Sequence, residues 1–293
     1  MRPGATKRGQ LVRTGIGTLL AALTVLVGGA ACRAEPVQIK PSLLRLNGNL
    51  ELPQGKTLGD GIALILHGMQ SDYRQETVAA LQKNLRERGI ASLAITLSLG
   101  IDDRQGRRAC DVRHDYALAG AGREIALWIA WLSAQGARTV DLIGFSRGGV
   151  QIASLVPDLP SVRRVVLLAP AFATAPEQAD AYRRNFGQSL KPHLEAAYLA
   201  PLEQRTVDFL LCRQAPVLGV TFLYAYADFP TQLAADTGKP TLVVIAGKDD
   251  VVPGLGTKLP AGVRRITIDN SGHSFPDVYG EVAADAIAKF LKE

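Results

Sequence analysis

Ser146 is the residue of this chain best placed to do chemistry. It lies in Gly144-Phe145-Ser146-Arg147-Gly148, after the apolar run Thr139-Val140-Asp141-Leu142-Ile143 and before Gly149-Val150-Gln151-Ile152-Ala153-Ser154-Leu155. The first run reads as a strand and the second as a helix. Glycines two before and two after the serine let the backbone turn sharply between them, lifting the hydroxyl above the sheet edge at a helix N-terminus. A serine hydroxyl is a weak nucleophile until a base takes its proton. Four histidines are available: His67, His114, His193 and His273. His67 ends an earlier strand, His114 lies in a polar loop, and His193 falls in a helical stretch away from the serine. His273 stands in Asn270-Ser271-Gly272-His273-Ser274-Phe275, between a strand-like run ending at Ile268 and the last helix. It is the expected base. A carboxylate must orient its ring and stabilise its charged form. Asp249 and Asp250 both follow the buried run Pro240-Thr241-Leu242-Val243-Val244-Ile245-Ala246-Gly247, and two loop neighbours cannot both face the imidazole.

The elements that must hold these groups alternate. A leader over 35–60 holds one or two edge strands, such as one over 42–46. A buried strand from Gly61 to Leu66 is followed by a helix over 73–87, a strand over 90–97, a helix over 115–135, the strand before Ser146, and a strand over 164–169. Leu118, Ile125, Ile129 and Leu132 fall on one face of the 115–135 helix with Trp128 and Trp131 nearby, which is a core stripe. Such alternation implies an α/β protein with a mostly parallel, doubly wound sheet covered on both faces. It fails between Pro170 and Lys239. There helical pieces are expected over 176–185, 191–197 and 204–213, with Tyr182, Phe186, Tyr198, Phe222, Tyr224, Tyr226 and Phe229 mostly packing this segment onto the sheet.

With Ser146, an aspartate and His273 in that order, the chain resembles the α/β-hydrolase family, from about residue 60 to the end. The resemblance implies a serine hydrolase, esterase- or lipase-like, with Ser146 as nucleophile and His273 as base. Family members often carry a proline before the acid strand and an Asp-x-x-Val-Pro tail. Counting from Pro240 or back from Pro253 selects Asp249; counting forward from Gly247 selects Asp250. Asp249 is preferred, with Asp250 left open. The resemblance further implies oxyanion donors in the backbone N–H groups of Met69, after His67-Gly68, and of Arg147. His67 is then a packing residue, and residues 172–238 are a helical lid inserted over the site. Water completes the reaction, so no cofactor or metal is expected, and the substrate is a small acyl compound. A carboxylic ester is the default. A peptidase or amidase of the same fold, and a non-catalytic envelope binding protein that keeps it, are the alternatives.

Residues 1–34 read as a secretory signal. Arg2, Lys7, Arg8 and Arg13 precede an apolar run from Ile16 to Ala31, followed by the small residues around Cys32. Cleavage after Ala34 or Ala31 and lipidation at Cys32 are both consistent with it. A lipid at Cys32 is then the expected membrane link, and the periplasm or the exterior the expected location. The 293-residue chain has a formal charge of +6, yet residues 1–34 carry five Lys and Arg residues and no acid. The remaining 259 residues, expected to form one domain over 35–293, hold 28 basic against 27 acidic side chains. The basicity therefore belongs to targeting and argues against a nucleic-acid partner. Cys110 and Cys212 remain as a pair, either bridged in an oxidising compartment or left as separate buried thiols. Their spacing does not suit zinc. The charged loop 100–108 is expected to be solvated. Asp111, His114 and Asp115 are expected to serve as loop caps or a salt bridge.

Overall fold

A computed structural model describes residues 33–41 and 43–293. The signal-like leader through Cys32 lies outside the described residues, as does Ser42. The elements are β1 (Arg33–Ile39), β2 (Leu46–Leu52), β3 (Ile62–Leu66), α1 (Glu76–Glu87), β4 (Ser92–Thr96), α2 (Leu118–Ala134), β5 (Val140–Phe145), α3 (Arg147–Leu155), β6 (Val162–Leu168), α4 (Ala175–Phe186), α5 (Lys191–Leu199), β7 (Gln204–Phe209), β8 (Cys212–Leu218), α6 (Gly219–Ala225), β9 (Thr241–Ala246), α7 (Leu255–Lys258), β10 (Arg264–Ile268) and α8 (Val278–Lys292). Eight strands form one sheet in the order β1-β2-β4-β3-β5-β6-β9-β10. β1 and β2 run antiparallel at one edge and every pair from β4 to β10 is parallel.

The strand period of two divides the central strands between two cores. Leu64, Leu66, Leu93, Ile95, Leu142, Val165 and Leu167 face α2 and α3, where Ile125, Trp128, Leu132 and Ile152 meet them. Ala63, Ile65, Ala94, Ile143, Val166 and Leu168 face α1 and α8, packing on Val78, Leu85, Ala284 and Ile287. Strands buried on both faces need apolar residues at both parities, which explains the apolar runs in β3 and β9.

Three expectations are corrected. The edge strands are Arg33–Ile39 and Leu46–Leu52, not a strand at 42–46: Leu43 is exposed, whereas Leu46 and Leu50 are buried in the sheet. Residues 204–213 form an antiparallel hairpin, β7–β8, where a helix was expected. The apolar end Phe209-Leu210-Leu211-Cys212 looks helical in isolation. However, β-branched Thr206 and Val207 suit a strand, and Leu210 turns at φ 55° between the paired Phe209 and Cys212. Tyr182, Phe209, Phe222 and Tyr226 build a separate small core for this β6–β9 insertion, but Tyr198 is exposed. Finally, loop 100–108 is not simply solvated. Asp102 pairs with Arg45 at 2.7 Å, and Arg104 and Arg108 turn into the protein, donating to the carbonyls of Leu97 and Leu99.

That loop is tied to the insertion. Cys110 and Cys212 form a disulfide, and β8 meets His114 through His114 N–H to Pro216 O at 2.7 Å and Leu218 N–H to His114 O at 2.9 Å. His114 is buried; Asp115 instead pairs with Arg113 at 3.6 Å. The bridge closes a loop of 102 residues, so its removal by Cys110→Ala together with Cys212→Ala is expected to cost about 2–4 kcal/mol. Denaturant melts of the variant check this; an unchanged midpoint contradicts it. Among the described residues, no helix is long and apolar enough to cross a membrane.

Candidate active site

The sheet register carries distant loops to one rim. Leu66 pairs with Gly144, Phe145 with Leu168, and Ala246 with Ile268. The residues following each therefore emerge at the same carboxyl edge. β4 and β5 flank β3 on opposite sides, and a reversal of this kind opens a crevice at the strand ends.

Ser146 occupies the turn from β5 to α3 with φ 52° and ψ −118°, a strained conformation for a side chain with a Cβ. Backbone bonds hold it there. Its N–H donates to Leu168 O at 2.9 Å, and its carbonyl accepts from Gly149 N–H at 3.0 Å and Ala171 N–H at 3.1 Å. The flanking glycines are required by contact. A Cβ on Gly144 would lie 2.5 Å from Gly148 O, and one on Gly148 would lie 2.5 Å from His67 O.

His273 enters from the loop after β10, which is fastened to the loop after β9 by Lys248 N–H to Ser271 O at 2.8 Å. Its Nε2 lies 2.9 Å from Ser146 Oγ, and its Nδ1 lies 2.8 Å from Asp249 Oδ2 and 3.0 Å from Oδ1. Asp249 Oδ1 also accepts the N–H groups of Val251 at 2.9 Å and Val252 at 2.8 Å. Burial raises the Asp249 pKa, but the His273 hydrogen bond and the two amides outweigh it, holding the carboxyl below its ordinary value. Asp250, the other aspartate weighed from the sequence, is exposed beside it. The structure thus joins Ser146, His273 and Asp249 in one hydrogen-bonded line.

Met69 and Arg147 border a cleft of about 580 Å³, together with Phe172, Tyr182 and Leu210. Neither the Met69 nor the Arg147 backbone N–H has a protein acceptor among the described residues, whereas Gly68 N–H is taken by Gln75 Oε1 at 2.8 Å. Two free amides at the mouth of the serine turn are what a developing oxyanion needs.

His67 lies beneath this rim, fully engaged. Its Nδ1–H donates to Gly68 O at 2.7 Å, and its Nε2 accepts from Leu97 N–H and from Arg104 Nη2, both at 3.2 Å. Burial, with the Arg104 guanidinium adding to it, pushes its pKa down to about 3. In the unfolded chain the ring titrates near its ordinary value of 6.5. The unfolded state therefore takes the proton first as pH falls. Stability from His67 is complete above pH 6.5 and drains away between there and about 3. Thermal midpoints measured across that window are expected to fall steadily, and less steeply in His67→Gln; parallel curves contradict this.

His114 and His193 do not reach the site. His114 Nδ1 accepts from Arg108 Nε at 3.2 Å, and His193 lies 3.3 Å from Gln188 on the insertion. Sequence reasoning passed over the side chains of Gln70 and Tyr116, which are sealed beside Met69 and Arg147. No local pattern marks a polar residue in a turn as buried.

No curated protein matches the chain. Several solved structures share its fold. Est1E from Butyrivibrio proteoclasticus is 17% identical with a TM-score of 0.62, over 88% of this chain and 97% of its own. The E-2-(acetamidomethylene)succinate hydrolase is 19% identical with a TM-score of 0.58, over 89% and 100%. The esterase Pf2001 of Pyrococcus furiosus is 14% identical with a TM-score of 0.57, over 89% and 90%. At such identities these relatives bear on fold alone. Residues 63–289, from β3 into α8, match the family model described as the alpha/beta hydrolase family. The chain belongs to the alpha/beta hydrolase family.

Proposed function

We propose that this protein is an exported serine hydrolase that cleaves a carboxylic ester by acyl transfer to water. The observation that carries the reading is the line Asp249–His273–Ser146, with Ser146 Oγ 2.9 Å from His273 Nε2 beneath two unpaired backbone amides. Ser146 Oγ attacks the acyl carbonyl as His273 Nε2 accepts its proton. Asp249 holds Nδ1–H, and so keeps Nε2 free to accept and stabilises the imidazolium. The carbonyl oxygen, now negative, takes hydrogen bonds from Met69 and Arg147 N–H. His273 then gives its proton to the departing alcohol. A water molecule, deprotonated by the same nitrogen, attacks the acyl-enzyme and regenerates Ser146.

The 172–238 insertion serves as a lid in this reading. Its Phe172, Tyr182 and Leu210 line the same cleft as Met69 and Arg147, which supports apolar surface for an acyl group within a cleft of mixed polarity. Export is supported by the Cys110–Cys212 disulfide, a bond that persists in oxidising compartments. β1 takes in Arg33 and Ala34, so cleavage after Ala31, with or without lipid on Cys32, leaves that strand whole. Treatment of the purified protein with a fluorophosphonate probe, followed by peptide mapping, tests the mechanism: a single adduct on Ser146 is expected, and an unlabelled protein sinks the reading. Rates on 4-nitrophenyl esters above those on aminoacyl anilides separate the esterase from an amidase.

A further inference from the structure

The side chain following the nucleophile is electrostatically unlike any other buried arginine here. Arg147 is only 9% exposed, lies over the rings of Phe229 at 4.5 Å and Tyr224 at 5.0 Å, and has no carboxylate partner among the described residues. Of its five N–H donors, one is used, from Nη2 to Tyr224 O at 3.1 Å. Arg104 and Arg108 are as deeply buried, but their guanidinium donors end on carbonyls and histidine nitrogens. Proteins ordinarily pair a buried guanidinium with a carboxylate or occupy its donors.

A second observation lies beside it. Gln70 is 5% exposed, yet among the described residues neither its Oε1 nor its Nε2 makes a hydrogen bond of normal geometry; the buried Tyr116 hydroxyl makes none either, although the Gln70 side chain is its polar neighbour. Gln70, Tyr116, Gln151, Tyr224 and Arg147 line a void of about 20 Å³, with Leu97, Leu99 and Leu210 also on its wall. A space of that size takes one water-sized oxygen. Met69 and Arg147 line both this void and the 580 Å³ cleft, so the void lies next to the place where the oxyanion donors stand. The acidic residues of the cleft do not supply Arg147 with a partner: Glu177 is paired with Lys258 at 2.6 Å, Asp180 with Arg183, and Asp250 lies exposed at the rim.

We propose that Arg147, Gln70 and Tyr116 form a carboxylate subsite, and that the natural substrate is an ester carrying an anionic carboxylate close to the scissile bond. One carboxylate oxygen enters the void, accepting from the Tyr116 hydroxyl and Gln70 Nε2. The other meets the free guanidinium N–H groups. The substrate class rests on the hydrolase reading above; the anion site itself does not.

Two matched ester pairs test it, each exchanging a terminal methyl for a carboxylate: monoethyl glutarate against ethyl valerate on the acyl arm, and 3-acetoxypropanoate against propyl acetate on the alcohol arm. Proton release is followed by pH-stat. The wild type is expected to favour the carboxylate member of one pair in kcat/KM by roughly 10- to 100-fold, the worth of hydrogen bonds to a charged group. Arg147→Met is expected to erase that ratio, Arg147→Lys to keep part of it, and Gln70→Leu, which leaves the guanidinium in place, to lower it. Equal rates within both pairs, or a preference that Arg147→Met and Gln70→Leu both retain, overturn the proposal and leave the void to a water molecule. Should the wild type cleave neither pair, the hydrolase reading is what has failed. Calorimetry of the two carboxylate esters against their neutral partners then decides the anion site alone, with tighter binding of a carboxylate supporting it and equal binding ending it.

Discussion

Ser146→Ala is expected to lower kcat for ester hydrolysis by about a million-fold while leaving a folded protein. The loss is large because Oγ forms the bond to the acyl carbon, and among the described residues the one side-chain partner of His273 Nε2 is Ser146 Oγ at 2.9 Å. The fold survives because the turn is held by backbone. Ser146 N–H on Leu168 O, and Ala171 and Gly149 N–H on Ser146 O, remain available to alanine at the same φ. Residual rate above water, about 10³–10⁴-fold, would come from Met69 and Arg147 N–H and from binding. Steady-state kinetics together with circular dichroism check both halves. A variant that keeps a tenth of wild-type kcat means that another residue is the nucleophile.

Asp249→Asn is expected to reduce kcat by about 10⁴-fold, and Asp250→Asn to change it little. The contrast follows from how the Asp249 carboxylate is already bonded. Oδ1 accepts Val251 and Val252 N–H, so the oxygen of an asparagine must stay on that side. Its NH₂ group then takes the place of Oδ2, which faces His273 Nδ1 at 2.8 Å. Facing a donor, Nδ1 must be the acceptor and the ring proton moves to Nε2. Nε2 can then no longer take the proton of Ser146. Asp250 makes no contact with the imidazole and stands exposed at the cleft rim, so its amide is tolerated. Comparable losses in the two variants would overturn this division of labour.

Much of the frame was readable from residue order. The doubly wound sheet follows from the apolar runs that become β3, β5, β6 and β9, each bounded by glycine, proline or a polar turn. The elbow was readable because its glycines obey a local steric rule, with Gly148 pressed against His67 O. The hairpin at 204–218 was not readable. Its register depends on a partner strand, on the disulfide to Cys110 and on the backbone of His114, and all of these lie outside the window in which a helix and a strand are weighed. The interior placement of Arg104 and Arg108 was hidden for the same reason: a charged loop reads as solvated unless the carbonyls that receive it are known.

Residue order by itself determined the strand succession, a sharp serine turn and a histidine after the last strand, because backbone sterics and apolar periodicity act over a few neighbours. Only the tertiary structure decided which of two adjacent aspartates meets His273, that the Arg147 side chain is buried without a counter-ion among the described residues, and that Gln70 and Tyr116 line a small void beside it. The reason is distance along the chain. Hydrogen bonds and desolvation depend on groups that approach only once the sheet has set its register, and Ser146 and His273 are 127 residues apart until it does.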